Sequence, residues 1–324
     1  MNAQITEGAA LTGALSWKNI LVAVDLSAHS EATGRYAIKI AEPFGASIVL
    51  AHVHPRIEVS EFMTEGGYRE MEQQRHDAQA ALARLTATLR ESYPACEAAF
   101  LLGDPVERVA GLAHDLPADL VITASHHPSF LARLLNLDQA PKIMHRARCP
   151  VLVYHEDHQI RGTVPSPGPE MQTAGSEQDA TRKRILVPVD LDAEPGPTLD
   201  VAVKLAREWK ADLYVLHVYS APAYVGNSHY IYAVQGVDWR RRQLQDKLLD
   251  WVERLQTHHP RTFPLFEDGE CPAEGTQGVA AGLLADLIVV STHDRTWLSR
   301  WLFYSDADEI ARRASAPVLV VRGG

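Results

Sequence analysis

The sequence repeats itself. Ala118-Asp119-Leu120-Val121-Ile122-Thr123-Ala124-Ser125-His126-His127 returns 167 positions later as Ala285-Asp286-Leu287-Ile288-Val289-Val290-Ser291-Thr292-His293-Asp294. Ile20-Leu21-Val22-Ala23-Val24-Asp25 returns as Ile185-Leu186-Val187-Pro188-Val189-Asp190, and Leu50-Ala51-His52-Val53 as Val215-Leu216-His217-Val218, both 165 positions on. Pro150-Val151-Leu152-Val153 and Pro317-Val318-Leu319-Val320 restore the offset of 167. Motifs kept in order at a nearly constant offset require a duplicated domain, and the unit is too long for a short solenoid repeat. A chain of 324 residues holds about two domains, each large enough for its own core.

The repeated strands are continuous runs of leucine and β-branched residues without polar alternation. Such runs suit strands buried on both faces in a parallel sheet flanked by helices. Open α/β sheets bind ligands at the carboxyl ends of their strands, so function is sought at Ser125-His126-His127 and Thr292-His293-Asp294.

Between the strands, amphipathic spacing predicts a helix on Tyr36, Ile40 and Phe44, with Ser30 as N-cap and Gly45 as stop. A longer helix follows on Leu82, Leu85 and Leu89, and another on Val106, Val109 and Leu112. The second half uses Val201, Leu205 and Trp209, then Leu244, Leu248, Val252 and Leu255. Pro264 interrupts its third strand and assigns it to an edge or a bulge. The domains are expected at 18–157 and 183–324, with a flexible arm over 1–17 and a linker over 158–182 that is rich in turn formers.

A net charge of -10 argues against a nucleic-acid partner, which needs a basic face. Cys96, Cys149 and Cys271 are widely spaced without a C-x-x-C pair, which suits reduced thiols in a cytoplasmic protein. The first 17 residues lack the pattern of a signal peptide, and no run approaches the length of a membrane span, so no membrane partner is expected.

Two halves that each read strand-Asp, helix, strand-His-Val, long helix, strand-Gly, helix, Ala-Asp-Leu strand and Pro-Val-Leu-Val resemble a tandem universal stress protein. The resemblance covers about 18–155 and 183–322. It implies two α/β domains, flavodoxin-like or adenine-nucleotide-hydrolase-like, each with a five-stranded parallel sheet. It also implies pairing through the closing strands, here within one chain as a pseudo-dimer, with a homodimer also open.

In the nucleotide-binding branch of that family, an aspartate after strand one and the valine after the strand-two histidine hold the adenosine end. Asp25 with Val53, and Asp190 with Val218, keep those positions. The phosphates of that branch lie in a loop G-x-x-G-x9-G-[ST], where glycines let backbone N–H groups approach and a helix start favours the anion. Here the loop positions hold Ala124, His127, Leu137 and Asp138 in the first half, and Ser291, Asp294, Tyr304 and Ser305 in the second. Every glycine is gone, and Ser305 alone matches. A carboxylate at Asp138 would repel a phosphate by roughly 4 kcal/mol at 4 Å in an effective dielectric of 20. Neither half therefore reads as a conventional ATP site, the first more firmly than the second.

The segments replacing the loop carry Phe130, Leu131, Leu134 and Leu135, and Trp297, Leu298, Trp301 and Leu302, at helical spacings. These stripes suit core packing first, and a partner or ligand groove second. His54, His126, His127, His217, His293 and Asp294 stand at strand ends, where imidazole and carboxylate groups suit zinc. No dense ligand motif, nucleophile elbow or Walker loop accompanies them. Two readings stand. One is a non-catalytic stress-response protein that binds a protein partner or small ligand through Asp25, Val53, Ser125, His126, His127, Asp190, Val218, Thr292, His293 and Ser305; the other is a nucleotide- or zinc-binding protein with weak phosphohydrolase activity.

Overall fold

The computed structural model describes residues 15–56, 64–124, 149–154, 182–192, 196–220, 230–269, 271–291 and 316–321, excluding the side chains of 230–238 and 291. The chain divides into two compact units, one of Ser16–Glu156 and one in the chain from Asp157 onward.

In the first unit the elements are β1 (Asn19–Ala23), α1 (Ser30–Ala41), β2 (Ser47–His54), α2 (Glu65–Ser92), β3 (Cys96–Leu102), α3 (Pro105–Asp115), β4 (Leu120–Ala124) and β5 (Val151–Tyr154). The strands lie in the order β3-β2-β1-β4-β5, and each neighbouring pair is parallel. Ile20, Leu21 and Val22 of the central strand are at most 1% exposed, which is why this strand has no polar alternation. On one face of the sheet, Leu21, Ala51 and Val121 pack with Val106 and Val109 of α3.

The helices begin and end for local reasons. The cap of α1 is His29 and not Ser30; Ser30 sits inside the first turn, buried, because its hydroxyl is used elsewhere. A 3-10 turn over Glu42–Phe44 follows, and Gly45 stops it at φ 60, a left-handed conformation that glycine adopts without strain. Thr64 caps α2 by accepting from the Gly67 N–H, and the helix buries Leu82, Thr86 and Leu89. Asp104 caps α3 by accepting from the N–H groups of Val106 and Glu107 at 2.9 and 3.1 Å.

The Ala-Asp lead-in of the repeated strand has a structural purpose. Asp119 Oδ2 accepts from the N–H groups of Lys18 and Asn19 at 2.7 and 2.9 Å, tying the start of β4 to the start of β1. In the second unit Asp286 Oδ2 accepts from the Arg184 N–H at 2.8 Å in the same way.

That unit comprises β6 (Arg184–Pro188), α4 (Pro197–Trp209), β7 (Asp212–Tyr219), α5 (Tyr230–Gln256), β8 (Thr262–Asp268), α6 (Pro272–Leu283), β9 (Leu287–Ser291) and β10 (Val318–Val321). Its strands lie in the order β8-β7-β6-β9-β10, again with parallel neighbours. Leu244, Leu248, Val252 and Leu255 of α5 are buried as their spacing predicts. In α4 the buried face falls on Leu199, Ala202, Val203, Leu205 and Ala206, while Val201 and Trp209 lie at its margin. Pro264 lies in β8, at the outer edge of this sheet.

Three expectations change or cannot be followed. Strand one ends at Ala23, two residues before Asp25. Trp17, assigned to the arm, is 4% exposed and packs on Phe44 with ring centroids 5.0 Å apart. The remainder of the arm, nearly all of the linker, and the segments after β4 and β9 that hold Ser125, His126, His127, Asp138, Thr292, His293, Asp294, Tyr304, Ser305 and both apolar stripes lie outside the described residues. No described helix is long and apolar enough to cross a membrane.

Candidate functional site

After β1 the chain leaves the sheet through Val24, whose N–H donates to the Ala51 carbonyl at 2.9 Å. Asp25 then closes a turn: its Oδ1 accepts from the Ser27 N–H at 2.9 Å and from the Ser30 hydroxyl at 3.0 Å. Burial pushes the Asp25 carboxyl up, but the hydrogen bonds from Ser27, Ser30 and its own backbone outweigh it and hold the pKa below the ordinary 3.8. The group is an anion at neutral pH.

Beside it, on β2, His52 Nδ1 lies 2.9 Å from the Val24 carbonyl oxygen. A carbonyl can only accept, so Nδ1 carries the proton and Nε2 keeps its lone pair. Burial depresses the His52 pKa below 6.5, against the raising influence of this bond and of Asp25. His54 is two residues further along the same face, its ring 6.3 Å from that of His52. Phe100 of β3 lies against both, at 5.7 and 6.0 Å.

The second unit repeats this arrangement. Asp190 Oδ1 accepts from the Asp192 N–H at 2.9 Å, and His217 Nδ1 lies 3.0 Å from the Val189 carbonyl. His217 is also held below 6.5, chiefly by burial. Phe266 stands 5.5 Å from His217, and Tyr219 takes the place of His54.

Val53 and Val218 face the other way. Strand alternation sends them to the side packed by α3 and α6, where each joins that unit's core cluster. A Cβ on Gly275 of α6 would come within 2.8 Å of Val218 Cγ1, so glycine is what lets α6 approach. The candidate site in each unit therefore straddles the sheet's end, with the aspartate between a histidine-aromatic side and a valine side. No group of three or more His, Cys, Asp or Glu among the described residues is placed to hold a metal ion. The partners that His54 and His217 would need, at 126, 127, 293 and 294, fall outside those residues.

A model of the universal stress protein family matches residues 16–155 and again 181–322. The chain belongs to the universal stress protein family. It is 26% identical to a universal stress protein of Mycolicibacterium smegmatis over 94% of this chain and 96% of that one. It is 24% identical to one of Mycobacterium tuberculosis, with the same coverage of each chain. Among solved structures, a universal stress protein of Archaeoglobus fulgidus superposes with a TM-score of 0.58 at 16% identity, covering 95% of this chain and 97% of that one, a likeness of fold.

This universal stress protein also has site neighbours that sequence reasoning missed. Three cationic side chains of α5 reach the strand ends of the second unit. Arg240 pairs with Asp192. Arg241 pairs with both oxygens of Asp268 at 2.9 and 2.7 Å and stands over the Phe266 ring at 5.4 Å. Lys247 donates to the Leu191 carbonyl at 2.5 Å. The run Arg240-Arg241-Arg242 was the available signal, because the corresponding stretch of α2 reads Arg75-His76-Asp77.

Proposed function

We propose that this universal stress protein is a non-catalytic stress-response protein that holds a small ligand at the carboxyl ends of its sheets. The ligand's polar end rests on Asp25 in the first unit and on Asp190 in the second. The observation carrying this reading is the duplicated rim: in both units one aspartate oxygen is committed to a turn, and the adjacent histidine is kept neutral by burial with its Nδ1 on a carbonyl. Such a rim is rigid and anionic, at the place where open parallel sheets take ligands. Because the adenosine-side positions are kept in sequence and the phosphate glycines are not, the ligand is nucleoside-like and carries no triphosphate. Burial raises the pKa of Cys96 and of Cys149, the latter to about 12, so neither of these two thiols is poised as a nucleophile.

Thermal shift and calorimetry with adenosine, AMP and magnesium-ATP test the proposal, with zinc alone as a separate arm. Adenosine at a hundred times its Kd is expected to stabilise the protein by about 2.7 kcal/mol. Asp25→Asn combined with Asp190→Asn removes that shift, and ATP binds no more tightly than adenosine. Magnesium- or zinc-dependent release of phosphate from ATP, abolished by the same substitutions, would establish the phosphohydrolase reading in its place.

A further inference from the structure

We propose that Thr123 makes the first unit's ligand site chemically different from the second's, by offering a buried hydroxyl to a polar atom of a flat heteroaromatic group. The inference rests on the ligand-binding reading above. Thr123 is the penultimate residue of β4, 1% exposed, and its Oγ1 has no hydrogen-bond partner among the described residues. Alternation places it on the same face as Val121, hence on the side of the sheet packed by α3, together with Val53.

The register shows its setting. Across the sheet one lateral row reads Ala99, Ala51, Ala23, Thr123 and Val153. The matching positions of the second unit are Leu265, Leu216 and Pro188, then Val290 and Val320. Ala23 and Ala51 keep this row low beneath α3, whereas the second unit has larger apolar side chains and no hydroxyl there. Val290 shows that the fold accepts an isosteric apolar residue at this point. An orphaned hydroxyl is destabilising when buried, so a threonine here calls for a partner beyond the described residues, and a bound ligand supplies one.

Of the other two such atoms among the described residues, one has its expected partner outside them and the other lies away from the site. Thr198 Oγ1 corresponds to Thr33, which donates to the carbonyl four residues earlier at 3.1 Å, and the equivalent carbonyl at 194 lies outside the described residues. Trp209 Nε1 is at the C-terminal end of α4, away from the strands' carboxyl ends, with Lys183 over its ring at 4.3 Å.

The experiment uses the full chain with Asp190→Asn as background, so that adenosine binding reports the first unit. Thr123→Val is expected to raise the unfolding midpoint without ligand and to weaken adenosine about tenfold, the equivalent of one lost hydrogen bond. Thr123→Ser restores the affinity. A lower ligand-free midpoint for Thr123→Val would overturn the inference, because the hydroxyl would then have a partner within the fold. So would unchanged adenosine affinity. If the protein without Thr123 substitutions binds no adenosine, the ligand-binding reading itself fails and takes this inference with it; binding that Thr123→Val leaves untouched removes the inference alone.

Discussion

His52, His217 and His259 each have a pKa below 6.5, in every case chiefly because burial penalises the charged ring. The unfolded chain accepts a proton near 6.5 that the fold resists. Their contribution to stability is therefore complete above about pH 6.5 and declines as pH falls through that value. Each ring contributes at most about 1.4 kcal/mol per pH unit, less where solvent reaches it. Asp25 and Asp268 act lower on the scale. Their carboxyls sit below 3.8, so what they contribute is present above that value and lost beneath it. Urea midpoints at fixed salt should thus fall between about pH 7 and about pH 5, before Asp25 and Asp268 are involved. His217→Gln, which keeps a donor for the Val189 carbonyl but cannot titrate, should flatten that slope; an unchanged slope would mean the ring is not held neutral.

Between elements, the closest approaches involve glycine. A Cβ on Gly34 of α1 would lie 2.4 Å from Leu89 Cδ1 of α2, and Leu89 is fully buried with little room to yield. Gly34→Ala is therefore expected to destabilise the first unit by about 1–3 kcal/mol in spite of alanine's better helix propensity. Gly111 of α3 has open space around its Cβ position, and Gly111→Ala should stabilise by up to about 1 kcal/mol, as read from urea unfolding. Removing the strand-start tie with Asp119→Ala should cost about 1–3 kcal/mol, since two backbone N–H groups lose a charged acceptor. The strands and long helices were legible in sequence because each depends on its own apolar period, as Leu244, Leu248 and Val252 illustrate. Asp25 was legible through repetition. The cap of α1 was misplaced because Ser30 serves Asp25 across the turn, and the reach of Arg240 and Arg241 to Asp192 and Asp268 depends on residues far apart in sequence.

At the scale of the whole molecule, each unit has its own core, one built around Leu21 and Ala51 and the other around Leu186 and Leu216. Separate cores predict heat unfolding that is not a single two-state transition, so the calorimetric enthalpy should exceed the van't Hoff value. Gly34→Ala should then lower only the transition belonging to the first unit, which differential scanning calorimetry resolves. The units also differ at the strand ends, the first having Thr123 in a row with three alanines and the second a rim of arginine-carboxylate pairs. Pro264 bears on a different matter. It lies in the outermost strand of its sheet, paired with Val215 on the inner side, and a proline has no N–H to offer a newcomer. To a partly unfolded chain in search of a strand to join, that rim is a poor template, and this edge resists being drawn into an aggregate.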